Sequence, residues 1–310
     1  MKAVRYHSYG DSGVLAYEDT GHPVAGPGQV VVRVAGAAFN PLDVAIRAGF
    51  VREAFPVAFP HIPNYDVAGV ITGAGQGVNG WRAGDAVVAF LPVTAPGAAA
   101  EFATAPAGAL AAAPRAVGLA DAAALPSAGL TAWQSLFEHA SLTAGQSILI
   151  NGAGGAVGGY AVQLARRAGA TVTATASARS AGRIRSYGAD QIIDYTAAPL
   201  PGAADGQQFD VVLNLVRTGP EETARLAGLT AAGGAFVSTT FPDFGEAGRG
   251  VRVVSVVARS DAGQLAGLVA RVDAGELRID VAQRRPLSDL AAVHDQAVAG
   301  QLPGKTVLVP

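Results

Sequence analysis

The stretch Ser147–Ala170, SILINGAGGAVGGYAVQLARRAGA, decides the fold. Its first five residues are an apolar run that reads as a buried strand ending at Asn151–Gly152. Ala153-Gly154-Gly155-Ala156-Val157-Gly158 follows, and Val157–Ala168 has helical spacing. An A-x-G-x-x-G turn between a strand and a helix is a form of the dinucleotide-binding fingerprint. Small residues let the backbone approach a pyrophosphate, and the helix N-terminus offers unpaired N–H groups and a positive dipole end. The bland alternative is a glycine-rich turn with no ligand; the flanking strand and helix argue against it.

Charge selects the nucleotide. The next strand, Thr171–Thr175, ends about 20 residues beyond the loop, where an NAD-binding chain places Asp or Glu on the ribose. Here the residues are Ser177-Ala178-Arg179-Ser180, with no carboxylate. A 2′-phosphate is attracted by Arg179 and accepts from the Ser177 hydroxyl. Tyr195, in QIIDYT, adds a phenol. The expected cofactor is NADPH, although Arg179 also reads as a solvated residue in the first turn of a helix.

Outward from the loop, strands alternate with helices. Ser147–Asn151, Thr171–Thr175, Gln191–Asp194, Asp210–Leu215, Ala235–Ser238 and Val251–Val257 read as six buried parallel strands. Helices are expected at Val157–Ala168 and Arg179–Tyr187. This is the pattern of a doubly wound parallel sheet. Upstream, Lys2–His7, Gln29–Ala37, Val67–Ala74, Ala86–Phe90 and Ala98–Thr104 read as short strands separated by Gly/Pro turns. A helix is expected at Pro41–Ala48, capped by Asn40. Downstream come helices at Ala262–Ala274 and Ser288–Ala299 and a last strand at Thr306–Val309. Periodicity leaves open which domain that tail joins.

Composition narrows the chemistry. Of 310 residues 50% are apolar, 15% are charged and 40 are glycine, with a net charge of -2. A compact protein of two domains fits, and neither nucleic acid nor an anionic membrane is the main partner. There are no cysteines, so disulfides, thiolate nucleophiles and cysteine zinc sites are excluded. The five histidines show no HxxxH spacing, and no metal is expected. Without an apolar N-terminal stretch for a signal peptide, the expected location is cytoplasmic.

Several segments in order carry a resemblance. Leu130-Thr131-Ala132-Trp133, Ala144-Gly145-Gln146 and the glycine loop, with Asn40-Pro41-Leu42-Asp43, Arg47-Ala48-Gly49, Asp66-Val67-Ala68-Gly69 and Gly304-Lys305-Thr306-Val307-Leu308, resemble the zinc-independent quinone oxidoreductase branch of the medium-chain dehydrogenase/reductase superfamily. The resemblance implies an α/β fold: a Rossmann doubly wound parallel sheet, 124–262, inserted in a GroES-like, mainly β catalytic domain, 1–123 plus 263–310. It implies a cleft active site and dimers or tetramers joined edge to edge through nucleotide-binding domains, with a homodimer expected. Zinc-dependent relatives carry Cys and His where Asn40 and Tyr65 stand, which closes the Lewis-acid route here. What remains is hydride delivery to a conjugated small-molecule acceptor: a quinone or, as the runner-up, an enone or enoyl thioester. A non-catalytic NADPH-binding protein is the reading of another class.

The resemblance also supplies site residues. Asn40, Tyr65 and Thr131 are the catalytic candidates, set beside plainer roles as a helix cap, a packed aromatic and a helix start. Cofactor contacts fall on Gly152, Ala153, Gly154, Gly155, Ala156, Val157, Gly158, Ser177, Arg179, Tyr195 and Asn214. Arg47 matches the family's arginine without an assigned role. Phe50 and Val51 replace a usual Gly-x-Tyr ending and suggest a drier acceptor pocket. Asn64 stands where Gly is usual, and Asn214-Leu215-Val216-Arg217 replaces D-x-V-G.

Overall fold

The computed structural model describes residues 1–197, 200–204, 206–240 and 247–310. They form two compact units, Met1–Ser127 with Ser260–Pro310, and Ala128–Arg259. The junctions therefore lie at 127/128 and 259/260, beside the expected 123/124 and 262/263. Among the described residues no helix is long and apolar enough to cross a membrane.

The first unit is mainly β. Its strands are β1 (Lys2–Arg5), β2 (Ala16–Asp19), β3 (Gln29–Ala38), β4 (Asp66–Ala74), β5 (Ala86–Phe90), β6 (Phe102–Pro106) and β7 (Leu110–Ala112). Helix Pro41–Arg47 lies between β3 and β4. The strand expected at Ala98–Thr104 starts only at Phe102. Before it the chain pairs instead with a loop: Gly97 N–H donates to Ile62 O at 2.7 Å and Ala98 N–H to Asn64 O at 2.6 Å. Gly97 permits this approach, because a Cβ there would lie 2.3 Å from Pro63 O.

The second unit holds β8 (Ser147–Asn151), β9 (Thr171–Thr175), β10 (Gln191–Ile193), β11 (Phe209–Asn214), β12 (Thr230–Ser238) and β13 (Arg252–Ser255). All pairings are parallel, in the order β10-β9-β8-β11-β12-β13. Ile148, Leu149 and Ile150 are fully buried, each contributing about 1.5–3 kcal/mol of burial. The strands run on from β8 to β10 toward one edge and from β11 to β13 toward the other, so the order of winding reverses between β8 and β11, the switch point where such sheets bind ligands.

The tail returns to the first unit. β14 (Gln283–Pro286) pairs parallel with β15 (Thr306–Val309), and β15 pairs antiparallel with β3. β14, QRRP, escaped the pattern because it is a short, charged edge strand ending in proline, which resists further pairing. The β15–β3 register sets Val307 opposite Ala38, so Lys305 arrives beside Asn40.

Candidate active site

In the second unit the glycine loop opens from a polar rail across three strand ends. Thr175 Oγ1 donates to Asn151 Oδ1 at 3.0 Å, and Asn151 Nδ2 donates to Asn214 Oδ1 at 2.9 Å. Asn214 Nδ2 then donates to Val216 O at 3.0 Å. The rail spans the switch point, because Asn151 and Asn214 are register partners on β8 and β11. It also captures the start of the loop: Gly152 N–H donates to Thr175 Oγ1 at 2.9 Å. Asn214, expected to contact cofactor, thus also fixes the strand ends.

Each glycine in the loop has a distinct task. Gly152 takes φ 90°, and a Cβ there would lie 2.7 Å from Val216 Cγ2. Gly158 lets the helix Ala156–Arg167 lie against the strand end, since a Cβ would sit 2.4 Å from Gly152 O. Gly155 is the exposed N-cap and brings no capping side chain. The first-turn N–H groups, at Ala156, Val157 and Gly158, have no intrahelical acceptor by geometry. This is a cradle for an anion. The loop fits the dinucleotide that its sequence implies, with Ala153 packed beneath it, fully buried.

Ser177 caps helix Ala178–Ser186 with extended backbone, Arg179 is exposed, and Tyr195 is 53% exposed. Thr131 lies within helix Pro126–Trp133, so it does not start a helix as its plainer reading had it. The start is Pro126, suited by its fixed φ.

The first unit gathers a buried polar cluster around Asn40. Asn40 occupies the N-cap position of Pro41–Arg47 with φ -132° and ψ 150°, and Asp43 reaches back to accept its backbone N–H at 2.8 Å. The Asn40 carboxamide is turned to the strands. Its Nδ2 donates to Asp66 Oδ2 at 2.9 Å, and its Oδ1 accepts from Lys305 Nζ at 2.6 Å. Lys305 Nζ also donates to Phe39 O at 3.2 Å and lies 3.5 Å from Asp66 Oδ2. Ser127 completes the set, its N–H donating to Asp66 Oδ1 at 2.8 Å and its Oγ to Asp66 Oδ2 at 2.6 Å. Asp66 is fully buried. A lysine, an amide and a serine all converge on its carboxyl group.

A small pocket opens beside this cluster, lined among others by Tyr6, Asp43, His61, Asn64 and Tyr65. Asn64 has φ 67°, the left-handed backbone that Asn tolerates, and its N–H donates to Asp43 Oδ1 at 3.1 Å. Burial pushes Asp43 up to about 7 and holds His61 down at about 4. Burial likewise raises Tyr65 well above the ordinary phenol range, so its hydroxyl keeps its proton at neutral pH. The ring packs on Phe90 at 5.4 Å between centroids, and among the described residues the phenol oxygen has no hydrogen-bond partner. Phe50 is 82% exposed and Val51 half-buried; neither lines this pocket. Arg47 is 3% exposed with Nε and Nη1 unpartnered among the described residues.

Sequence reasoning named Asn40 and Tyr65 but missed the roles of Asp43, Ser127 and Lys305. The spacing of Asp43 three residues after Asn40 was the one local signal available. Among the described residues no three His, Cys, Asp or Glu side chains are grouped as a metal site.

A family model described as alcohol dehydrogenase GroES-like domain matches residues 26–115, and one described as zinc-binding dehydrogenase matches 187–308. The chain is 41% identical over 225 residues to the chloroplast envelope quinone oxidoreductase homolog of Arabidopsis thaliana, covering 69% of this chain and 68% of that one. It is 36% identical over 263 residues to an Arabidopsis thaliana protein named NADPH-dependent alkenal/one oxidoreductase, chloroplastic, covering 78% and 67%. The solved quinone oxidoreductase from Coxiella burnetii superposes with a TM-score of 0.90 at 29% identity, covering 100% of this chain and 99% of that one.

Proposed function

Because the chain belongs to the quinone oxidoreductase branch of the medium-chain dehydrogenase/reductase superfamily, we propose that it is an NADPH-dependent reductase that delivers hydride to a quinone without zinc. The observation that carries the reading is the loop Gly152–Gly158 at the switch point, followed by Ser177 and Arg179 where an NAD-selective chain needs a carboxylate. The residues at the positions of the zinc ligands do not fit that ion. Asn40 spends its amide on Asp66 and Lys305, Tyr65 keeps its proton, and the chain has no cysteine.

When bound, the reduced nicotinamide supplies hydride. The chain's own residues hold and complete the reaction. Main-chain N–H groups at Ala156–Gly158 hold the pyrophosphate, Arg179 and Ser177 take the 2′-phosphate, and Tyr195 and Asn214 line the same end of the sheet. Thr131 is assigned to the nicotinamide ribose. As negative charge grows on the acceptor oxygen, a positioned donor must stabilise it. Tyr65 fills that role, its phenol uncommitted while the Asn40 amide is engaged. Asn40 acts by holding Asp66 and Lys305 in register.

A second reading, reduction of an enone C=C bond, draws on the alkenal/one oxidoreductase relative and needs the same donor. Following NADPH absorbance against a panel of quinones and enones tests both. Quinones are expected to drain NADPH fastest; faster turnover of enones selects the second reading. Tight NADPH binding with no acceptor reduced leaves only a non-catalytic binding protein.

A further inference from the structure

The glycine loop is gripped from a direction that its sequence pattern does not reveal. Arg183, on helix Ala178–Ser186, donates from Nη2 to the carbonyl oxygen of Gly154 at 2.7 Å and is half-buried. Ser180 lies on the same face, so close to the loop that a Cβ on Gly154 would sit 2.9 Å from its Oγ. Arg183 lies four residues after Arg179 and three after Ser180, so it neighbours each of them on the helix surface. Their helix begins just after β9, with Ser177 as its N-cap. One helix face therefore overlooks both the loop and the end of β9, the place where a ribose at the switch point presents its 2′-oxygen.

We propose that Arg183 is a specificity-determining residue for the 2′-phosphorylated nicotinamide carrier, presenting to that phosphate a guanidinium already fixed on the Gly154 carbonyl. The inference rests on the NADPH reading above and adds a residue to it. The Gly154 carbonyl orients the guanidinium beside the loop. The planar fork then faces a phosphate with little rotamer freedom left to lose. Arg179, one turn earlier, is exposed and must be ordered when the phosphate arrives. Of the two arginines, Arg183 is the preorganised one.

The test is direct titration of wild type, Arg183→Gln, Arg183→Lys and Arg179→Ala with NADPH and with NADH, read by nicotinamide fluorescence. Arg183→Gln is expected to raise the NADPH Kd at least tenfold while the NADH Kd stays within twofold. Arg183→Lys, which keeps the charge, is expected to retain most of the preference. Arg179→Ala is expected to weaken NADPH selectively but by less than Arg183→Gln. Equal weakening of both cofactors by Arg183→Gln would make Arg183 a loop anchor only, and no change in either would remove it altogether; each overturns the inference. A wild type that favours neither cofactor defeats the NADPH reading itself, whereas a selective wild type with an indifferent Arg183→Gln defeats Arg183 alone.

Discussion

Lys305 Nζ donates to the side-chain oxygen of Asn40 at 2.6 Å, joining the approach to the last strand to the residue that opens helix Pro41–Arg47. Both residues are 7% exposed, and the nearest opposite charge is Asp66, 3.5 Å from the ammonium and fully buried. Burial draws the Lys305 pKa down while Asp66 and Asp43 draw it up. Interior charges of this kind are stable only as a set.

Removing the cation exposes that dependence. Lys305→Met keeps the length of the side chain but leaves Asp66 buried without its counter-ion, which costs on the order of 3–5 kcal/mol. Urea unfolding is expected to show that loss, and Lys305→Met with Asp66→Asn is expected to recover part of it. A loss below about 1 kcal/mol would mean that Asn40 and Ser127 suffice to hold the carboxylate.

Tyr65 and Asn40 separate by kinetics. Tyr65→Phe deletes the donor and keeps the ring on Phe90, so kcat is expected to fall about 100-fold with NADPH affinity unchanged. Asn40→Ala is expected to lower turnover and stability together, because Asp66 and Lys305 each lose a partner. Full activity in Tyr65→Phe would remove the phenol from the chemistry.

The contrast between the two sites explains what was legible in the sequence. Gly152 to Gly158 lie within seven consecutive positions, and their strand, turn and helix were readable from local pattern alone. Ser147–Asn151 and Thr171–Thr175 match their expected bounds. The cluster around Asn40 is assembled by tertiary folding: its partners are 26 residues away at Asp66 and 265 away at Lys305. No window of sequence holds both. The same holds for Ala98–Ala100, which read as strand: Ala98 and Ala99 bond to Asn64 and Pro63, and Ala100 bridges to Ala3. Arg183 was hidden for another reason, since one arginine among Arg179, Arg183 and Arg185 carries no mark of which face meets the loop.

Gly158 tests the cradle sterically. A Cβ at that position meets Gly152 O at 2.4 Å and the Ala153 Cα at 2.5 Å, both backbone atoms. Gly158→Val is expected to displace the loop and weaken NADPH and NADH alike by more than tenfold. Near-native affinity for both would show that the loop does not depend on this close approach.

The pH dependence of stability has a defined sign. Burial holds His61 neutral down to about 4, and burial with the nearby Arg47 charge holds His294 neutral down to about 3. In the unfolded chain both ionise near 6.5, so between there and about 4 the unfolded state binds more protons and stability falls with pH. Asp43, pushed up to about 7 by burial, works oppositely over the same interval, because its folded form takes up a proton first. Two imidazoles against one carboxyl leave a net loss on acidification on the order of 3 kcal/mol. Denaturant midpoints measured from pH 6.5 to 4 are expected to fall in the wild type and to run nearly flat in His294→Leu. Parallel slopes would mean that His294 is not neutral in the fold.

The most direct measurement is calorimetric titration of the wild-type protein with NADPH and, separately, with NADH. A Kd for NADPH at least tenfold below that for NADH is expected from a loop that grips the pyrophosphate and a basic helix face that takes the 2′-phosphate. Equal affinities, a preference for NADH, or no heat with either would contradict the account.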